Sequence, residues 1–160
     1  MRTIKAQPLT AEAFQPYGTF TDLLHPTGYN LDGFYQDRVK MSVAGNMNLA
    51  FSPLVVKKAD PMIVTAAEYH DSTQEGIVCL DDDIIIHVAP ASKVPVPELT
   101  EAFFVPRGTL VCLHLGTWHL APIAVHEETA HVLITLPERI YKNDCVVIDY
   151  AEEQQIKIEL

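Results

Sequence analysis

Two stretches of the 160-residue chain hold the residues best suited to chemistry. In the first stretch, Glu68 and His70 are two residues apart, so a strand would place both side chains on one face. Glu75 follows His70 after four intervening residues, which leaves room for a turn into the next strand, and Asp82 follows Glu75 after six intervening residues. Imidazole and carboxylate groups gathered in this way can bind a divalent metal or move a proton.

The second stretch runs from Gly108 to His119 and contains His114 and Gly116. Together the two stretches have the spacing of the two sequence motifs of the cupin superfamily, and the gap between them also suits that fold. In this chain Glu68 stands where the first motif begins with a His, and His114 stands where the second motif has a Pro. The resemblance predicts a small barrel with a histidine-lined pocket.

A metal centre in such a barrel would draw its ligands from both stretches. A divalent metal takes nitrogen and oxygen ligands from different strands and keeps a position open for substrate. We expect His70, Glu75 and His119 to supply these ligands, with Glu68 as a fourth candidate. A mixed set of this kind suits nickel, manganese, iron or zinc. Any one of the histidines taken singly could instead be a core residue, and only their joint spacing favours a metal.

The rest of the chain predicts a single all-β domain over residues 1–160, a cupin-like β-barrel (double-stranded β-helix) with one or two short helices. The only convincing helix start is Thr10–Phe14. About ten short apolar runs separated by Pro, Gly and Asp indicate strands of a closed barrel or a sandwich. The C-terminal Ala151–Leu160 is left open as a last strand or a docking arm. The predicted strands are Gly18–Leu23, Met47–Pro53, Met62–Tyr69, Gly76–Leu80, Ile84–Ala89, Ala102–Val105, Thr109–His114, Ala121–Val125, His131–Leu136 and Cys145–Tyr150.

The composition of the chain argues against two classes of binding partner, nucleic acids and membranes. The formal net charge of −10 argues against nucleic acid and against an anionic membrane surface. No apolar run is long enough for a membrane helix, and the N-terminal residues do not form a secretory signal. Cys79, Cys112 and Cys145 are scattered and odd in number, which predicts free thiols in a reducing cytoplasm.

Several segments, taken in order, resemble the ureidoglycolate lyase family over most of the chain. The clearest is the His-Leu-Gly-Thr-Trp-His string that ends at His119. The segments that carry the resemblance are Pro8–Gly18, Glu68–His70, Glu101–Phe103, His114–His119 and Asn143–Cys145.

The resemblance implies a homodimeric, cytoplasmic lyase of the amidine-lyase type that cleaves ureidoglycolate to glyoxylate and urea in purine (allantoin) nitrogen catabolism. It also implies a divalent metal, while no organic cofactor is expected. The reaction is an elimination, in which the substrate hydroxyl loses a proton and the urea nitrogen leaves with one. We assign movement of that proton to His114 or Tyr69.

Three positions depart from the family pattern, because Tyr69, Leu115 and Leu120 stand where the family has two Arg and one His. A substrate carboxylate favours cationic partners. Two alternatives therefore stay open at this point. One is a different metal-dependent cupin enzyme (isomerase, lyase or dioxygenase) acting on a small sugar or organic acid, and the other is a non-catalytic metabolite-binding cupin.

Overall fold

The computed structural model describes residues 1–42 and 45–160 and consists mainly of short strands. Two α-helices and two single turns of 3₁₀-helix, at Pro97–Leu99 and Glu152–Gln154, interrupt them in the described ranges. The elements are β1 (Arg2–Pro8), α1 (Ala11–Phe14), β2 (Gly18–Asp22), β3 (Leu49–Lys57), β4 (Met62–Val64), β5 (Ala66–Tyr69), β6 (Gly76–Cys79), β7 (Ile84–Ala89), β8 (Glu101–Val105), β9 (Thr109–Leu113), β10 (Trp118–His119), β11 (Ile123–Ala124), β12 (Thr129–Pro137), α2 (Ile140–Asn143), β13 (Val146–Asp149) and β14 (Ile156–Glu159).

The strands form two curled sheets. One is nine-stranded, in the order β13-β5-β10-β7-β8-β1-β14-β4 with β11 paired to β7, and the other is five-stranded, in the order β2-β9-β6-β12-β3. A core of Phe14, Phe103, Val111 and other apolar side chains fills the space between them. The prediction of an all-β, cupin-like barrel with one or two short helices is confirmed. No helix in the described ranges is long and apolar enough to cross a membrane.

Strand β7 shows how the sequence produces two cores. Side chains alternate between the faces of a strand, so Ile86 and Val88 pack into the main core while Ile85 and Ala89 pack into a second core. All six residues of β7 are buried, because both faces of this strand are covered. The continuous apolar run is therefore the expected pattern for such a strand.

The N-terminal strand is the main element that the sequence did not predict. Strand β1 mixes charged, polar and apolar residues, with Ile4 and Ala6 set apart from each other, and forms no apolar run. Parallel pairing with β14 on one side and with β8 on the other supplies the backbone hydrogen bonds of β1. The C-terminal segment Ala151–Leu160, for which a last strand and a docking arm were both possible, contains strand β14. Strand β10 was also missed, since only two residues pair there.

His87 is the one titratable side chain in β7, and its burial leads us to expect that acid destabilises the fold. It is 4% exposed, and burial, with a smaller contribution from His119, lowers its pKa from 6.5 to about 3. Below pH 6.5 His87 becomes protonated in the unfolded chain, whereas in the folded chain it stays neutral until the pH approaches 3. The contribution of His87 to folding stability is therefore fully present above pH 6.5 and is lost as the pH falls toward 3. We expect His87→Gln to reduce the loss of unfolding free energy between pH 7 and pH 4 by about 2–3 kcal/mol.

Denaturant titrations at several pH values would measure this difference. His126→Gln is the matched control, because His126 lies on the surface beside Asp83. An unchanged pH slope in the His87 variant would contradict the expectation.

Candidate metal centre

Four ionisable side chains meet inside the barrel, namely Glu68, His70, Glu75 and His119, and none is more than 9% exposed. Glu68 lies in β5, and His70 follows directly after that strand. His119 of β10 lies opposite Glu68 in the antiparallel register, so the two side chains share one face of the sheet. Glu75 immediately precedes β6 and reaches the group from the facing sheet.

Glu75 is the centre of the hydrogen bonding in this group. Its Oε2 lies 2.8 Å from His119 Nε2 and 3.2 Å from His70 Nε2. The two imidazole rings are 5.4 Å apart between centroids. Potential ligand atoms of Glu68, His70 and His119 all lie within 4.8 Å of one another. The candidate ligands predicted from the two sequence stretches are therefore neighbours in the fold.

Hydrogen bonds to backbone carbonyls fix the orientation of both imidazole rings. His70 Nδ1–H donates to the carbonyl of Asp144 at 2.6 Å, and His119 Nδ1–H donates to the carbonyl of Thr117 at 2.8 Å. Each ring therefore directs Nε2 toward the Glu75 carboxylate. Histidines that bind metals commonly donate their other ring N–H to a carbonyl or carboxylate in this way.

The charges in the group stabilise one another. Burial alone would raise the pKa of Glu75, but hydrogen bonds and charge from His119 and His70 lower it from 4.5 to about 2. Burial alone would lower the pKa of both imidazoles, but their hydrogen bonds and the charge of Glu75 raise both above the ordinary value. In the metal-free protein Glu75 is thus ionised and favours protonated imidazoles.

The donor set fits a divalent metal. Within the described ranges, the side chain of Glu68 has a single hydrogen-bond partner, the weakly donating thiol of Cys145 at 3.4 Å. A buried carboxylate without a strong partner is costly. Glu68, His70 and His119 form the group whose possible ligand atoms lie close enough to share one ion, and this set matches the mixed nitrogen and oxygen ligands of first-row transition metals. Glu75 hydrogen-bonds to both imidazoles beside it. A divalent cation held by these residues would offset the buried negative charge.

The two predicted proton carriers lie outside this hydrogen-bonded group. Tyr69 projects from the opposite face of β5 and packs edge-on against Trp118, with ring centroids 4.5 Å apart. His114 is half-buried just after β9, and its backbone N–H donates to the carbonyl of Tyr17 at 2.8 Å. In residues 1–42 and 45–160, neither side chain hydrogen-bonds to the four central residues.

The segment from α2 into β13 contacts the group through Asp144 and Cys145. The sequence predicted a strand at Cys145–Tyr150 but not this contact with the site. Besides the Cys145 thiol, which donates to Glu68, this segment supplies the backbone carbonyl of Asp144, which accepts from His70. It also contains Tyr141, in α2. A cleft of about 470 Å³ beside α2 is lined by Leu54, Ile134 and Tyr141, among others. Tyr141 is 75% exposed, and partial desolvation together with the charges of Glu68 and Glu75 raises the pKa of its phenol. The Asn-Asp-Cys string was the available signal for this segment.

The curled sheets and the buried imidazole–carboxylate group define a cupin-like barrel with a centre suited to a divalent metal. The family model of ureidoglycolate lyase matches residues 1–158, and the chain belongs to this family. A ureidoglycolate lyase of Pseudomonas aeruginosa (strain LESB58) is 26% identical over 99% of this chain and 97% of its own length. Those of Stutzerimonas stutzeri (24% identical; 99% and 96% covered) and Pseudomonas savastanoi pv. phaseolicola (28% identical; 96% and 86% covered) are also similar.

Proposed function

We propose that this protein cleaves ureidoglycolate to glyoxylate and urea. Membership of the ureidoglycolate lyase family over residues 1–158 is the observation that carries the proposal. The relatives reported above all bear that name, which does not favour a different metal-dependent cupin enzyme or a non-catalytic binding protein. Glyoxylate and urea form when the substrate hydroxyl loses its proton, the bond from that carbon to nitrogen breaks, and the leaving nitrogen takes a proton.

Glu68, His70, Glu75 and His119 would hold a divalent metal in this account. When bound, such a metal supplies positive charge that stabilises a substrate oxygen as it loses its proton. The backbone carbonyls of Asp144 and Thr117 accept the Nδ1–H groups of His70 and His119, which orients the Nε2 atom of each ring toward the proposed metal site. Glu68, His70, Glu75 and His119 are at most 9% exposed, and burial strengthens electrostatic interactions between such groups.

The proton-transfer role of His114 stays a prediction. Its neighbour Gly116 donates a backbone hydrogen bond to the carbonyl of His70 at 2.8 Å, so the turn that carries His114 contacts the metal-binding segment. Tyr69 is the weaker candidate, because its ring is directed into the second core. A proton carrier should affect kcat without altering metal content.

The test is glyoxylate release by purified protein from ureidoglycolate, before and after exhaustive chelation. We expect turnover with ureidoglycolate, a loss of at least about 100-fold on metal removal, and recovery on adding back one of Ni²⁺, Mn²⁺, Fe²⁺ or Zn²⁺. In the same assay His114→Gln should lower kcat by about 10–100-fold with metal content unchanged. Absence of turnover in the metal-loaded protein would overturn the function, and full turnover after metal removal would overturn the metal role.

We also propose that the chain forms a homodimer through the outer face of the five-stranded sheet. Phe51 and Val55 of β3 are 64% and 56% exposed on this face, beside Pro53 and the half-buried Leu133 of β12. The apolar side chains of Phe51, Pro53 and Val55 on a chain with net charge −10 suit a second copy, because they carry no charge that would repel another acidic chain. His131, which pairs with Asp81, lies opposite Val55 on this face. Light scattering should give twice the mass of one chain, and Phe51→Glu should give a monomer; a wild-type monomer would contradict the proposal.

The proposal places the reaction in the cytoplasm, within purine (allantoin) nitrogen catabolism. Cys79, Cys112 and Cys145 are free, which is usual in a reducing compartment. Cell fractionation with the activity assay would test this location, and activity confined to a membrane or secreted fraction would contradict it.

A further inference from the structure

Asp144 contacts the candidate metal centre in two ways, although it lies 74 residues beyond His70 in the chain. Its backbone carbonyl accepts the Nδ1–H of His70. Its carboxylate accepts the backbone N–H groups of Asp71 at 3.0 Å and Ser72 at 2.9 Å, and the hydroxyl of Thr73 at 3.4 Å. A single residue therefore holds both the imidazole and the segment that follows it.

The held segment is the connection between two of the proposed ligands. His70 stands at its start and Glu75 at its end. Because the connection is short, its path determines where Glu75 Oε2 lies relative to the two imidazoles. Thr73, in the middle of the connection, is 1% exposed, so its hydroxyl is held in the interior close to Asp144. Fixing this turn therefore constrains the directions of both His70 and Glu75.

The pairing of β13 with β5 brings Asp144 to this place. Val146 lies opposite Tyr69 in the antiparallel register, so the residues just before β13 come beside the end of β5, where His70 begins the turn. Asp144 is half-buried there and ends α2, and its own N–H donates to the carbonyl of Ile140 at 2.8 Å. Contacts on both sides thus fix the position of Asp144.

We propose that Asp144 is a positioning residue that sets the geometry of the metal-binding groups through His70 and the turn before Glu75. This inference rests on the proposed function. It predicts more than a loss of stability, because supporting hydrogen bonds of this kind typically change metal affinity by 10–100-fold. A carboxylate that only caps a turn would change stability and leave metal affinity intact.

Asp22 provides the matched control for that distinction. It is also half-buried, and its carboxylate accepts the backbone N–H groups of Leu24 and His25 at 2.8 Å and 2.9 Å. It ends β2, in the cleft that contains Arg107 and the Asp-rich turn, and it contacts none of the proposed ligands. Asp22→Ala therefore removes a comparable turn cap away from the proposed centre.

The experiment measures Co²⁺ affinity, by absorption and competition with a chelator, in wild type, Asp144→Ala, Asp144→Asn and Asp22→Ala. We expect Asp144→Ala to weaken Co²⁺ binding by about 10–100-fold, Asp144→Asn to weaken it less because one acceptor oxygen remains, and Asp22→Ala to bind as wild type. Asp144→Asn serves alone if the alanine variant does not fold. Wild-type affinity in the folded Asp144 variants, or an equal loss in Asp22→Ala, would overturn the inference.

A second readout separates this inference from the proposed function. The ¹⁵N chemical shifts of the His70 imidazole report its hydrogen bonds without any metal. A shift change in the Asp144 variants but not in Asp22→Ala supports positioning even if wild type fails to bind Co²⁺, a failure that would count against the metal role. Unchanged shifts in every variant would overturn positioning.

Discussion

Replacing His119 by alanine is expected to lower ureidoglycolate cleavage by at least about 1,000-fold while leaving the barrel folded. His119 Nε2 is the imidazole atom closest to the Glu75 carboxylate, and its ring is 4% exposed. Removing it deletes one proposed ligand and leaves Glu75 with only His70 as an imidazole partner. His70→Ala should have an effect of similar size, because the two imidazoles approach the same carboxylate oxygen.

Steady-state kinetics, metal content and circular dichroism of each variant would check this expectation. His126→Ala is the control, since this exposed histidine also pairs with an aspartate, Asp83, but lies in the connection between β11 and β12, away from the buried group. We expect the control to keep both its metal and its activity. A folded His119→Ala protein with metal content and kcat close to wild type would show that the buried group is not the active centre.

Substituting Glu75 by glutamine is expected to destabilise the metal-free protein by about 3–5 kcal/mol and to abolish activity. The change keeps the shape of the side chain but removes the charge that both imidazoles face. Burial lowers the pKa of His70 and of His119, and without the charge and hydrogen bonds of Glu75 to oppose it the pKa of each falls. Protonated imidazoles then become costly to bury.

The pH dependence gives a second test of the same substitution. In wild type the raised pKa values of His70 and His119 contribute stability that is present below pH 6.5 and is lost as the pH rises through the folded-state values. The lowered pKa of Glu75 contributes stability that is present above pH 4.5 and is lost as the pH falls toward 2. Stabilisation by this group should therefore be largest between these limits, near pH 5–6.

Denaturant unfolding of the metal-free Glu75→Gln protein should lack this maximum. Glu159→Gln is the control, because Glu159 pairs with Lys157 at the protein surface and should change neither the stability profile nor the activity. Equal unfolding free energies for wild type and Glu75→Gln at pH 5.5 would contradict the account of the buried charges.

Local sequence patterns predicted most of the barrel, and long-range pairing accounts for what they missed. Ile84–Ala89 was predicted at both ends, because an Asp-rich turn precedes the apolar run and a Pro follows it. Residues of β1 carry no comparable pattern, and their strand exists because β8 and β14 pair with it. Met62–Tyr69 was predicted as one strand but is divided between β4 and β5, which pair with different neighbours.

Some residues of the candidate centre could likewise be predicted from local sequence patterns, and others could not. Strand alternation placed Glu68 and His70 on one face, and the match of both stretches to the spacing of the two cupin motifs indicated that Glu75 and His119 join them. The same alternation implies that Tyr69 faces away from Glu68, as the structure shows. Asp144 was not predicted to take part, because its contact depends on β13 pairing with β5 and no local pattern reports that pairing.

Anomalous scattering from crystals of the metal-loaded protein tests the central claim most directly. Data collected on either side of the absorption edge of the bound transition metal would locate it. The account predicts a single strong peak within about 2.0–2.2 Å of Nε2 of both His70 and His119, with carboxylate oxygens completing the ligand set. A peak elsewhere, or crystals of active protein with no peak between these imidazoles, would contradict it.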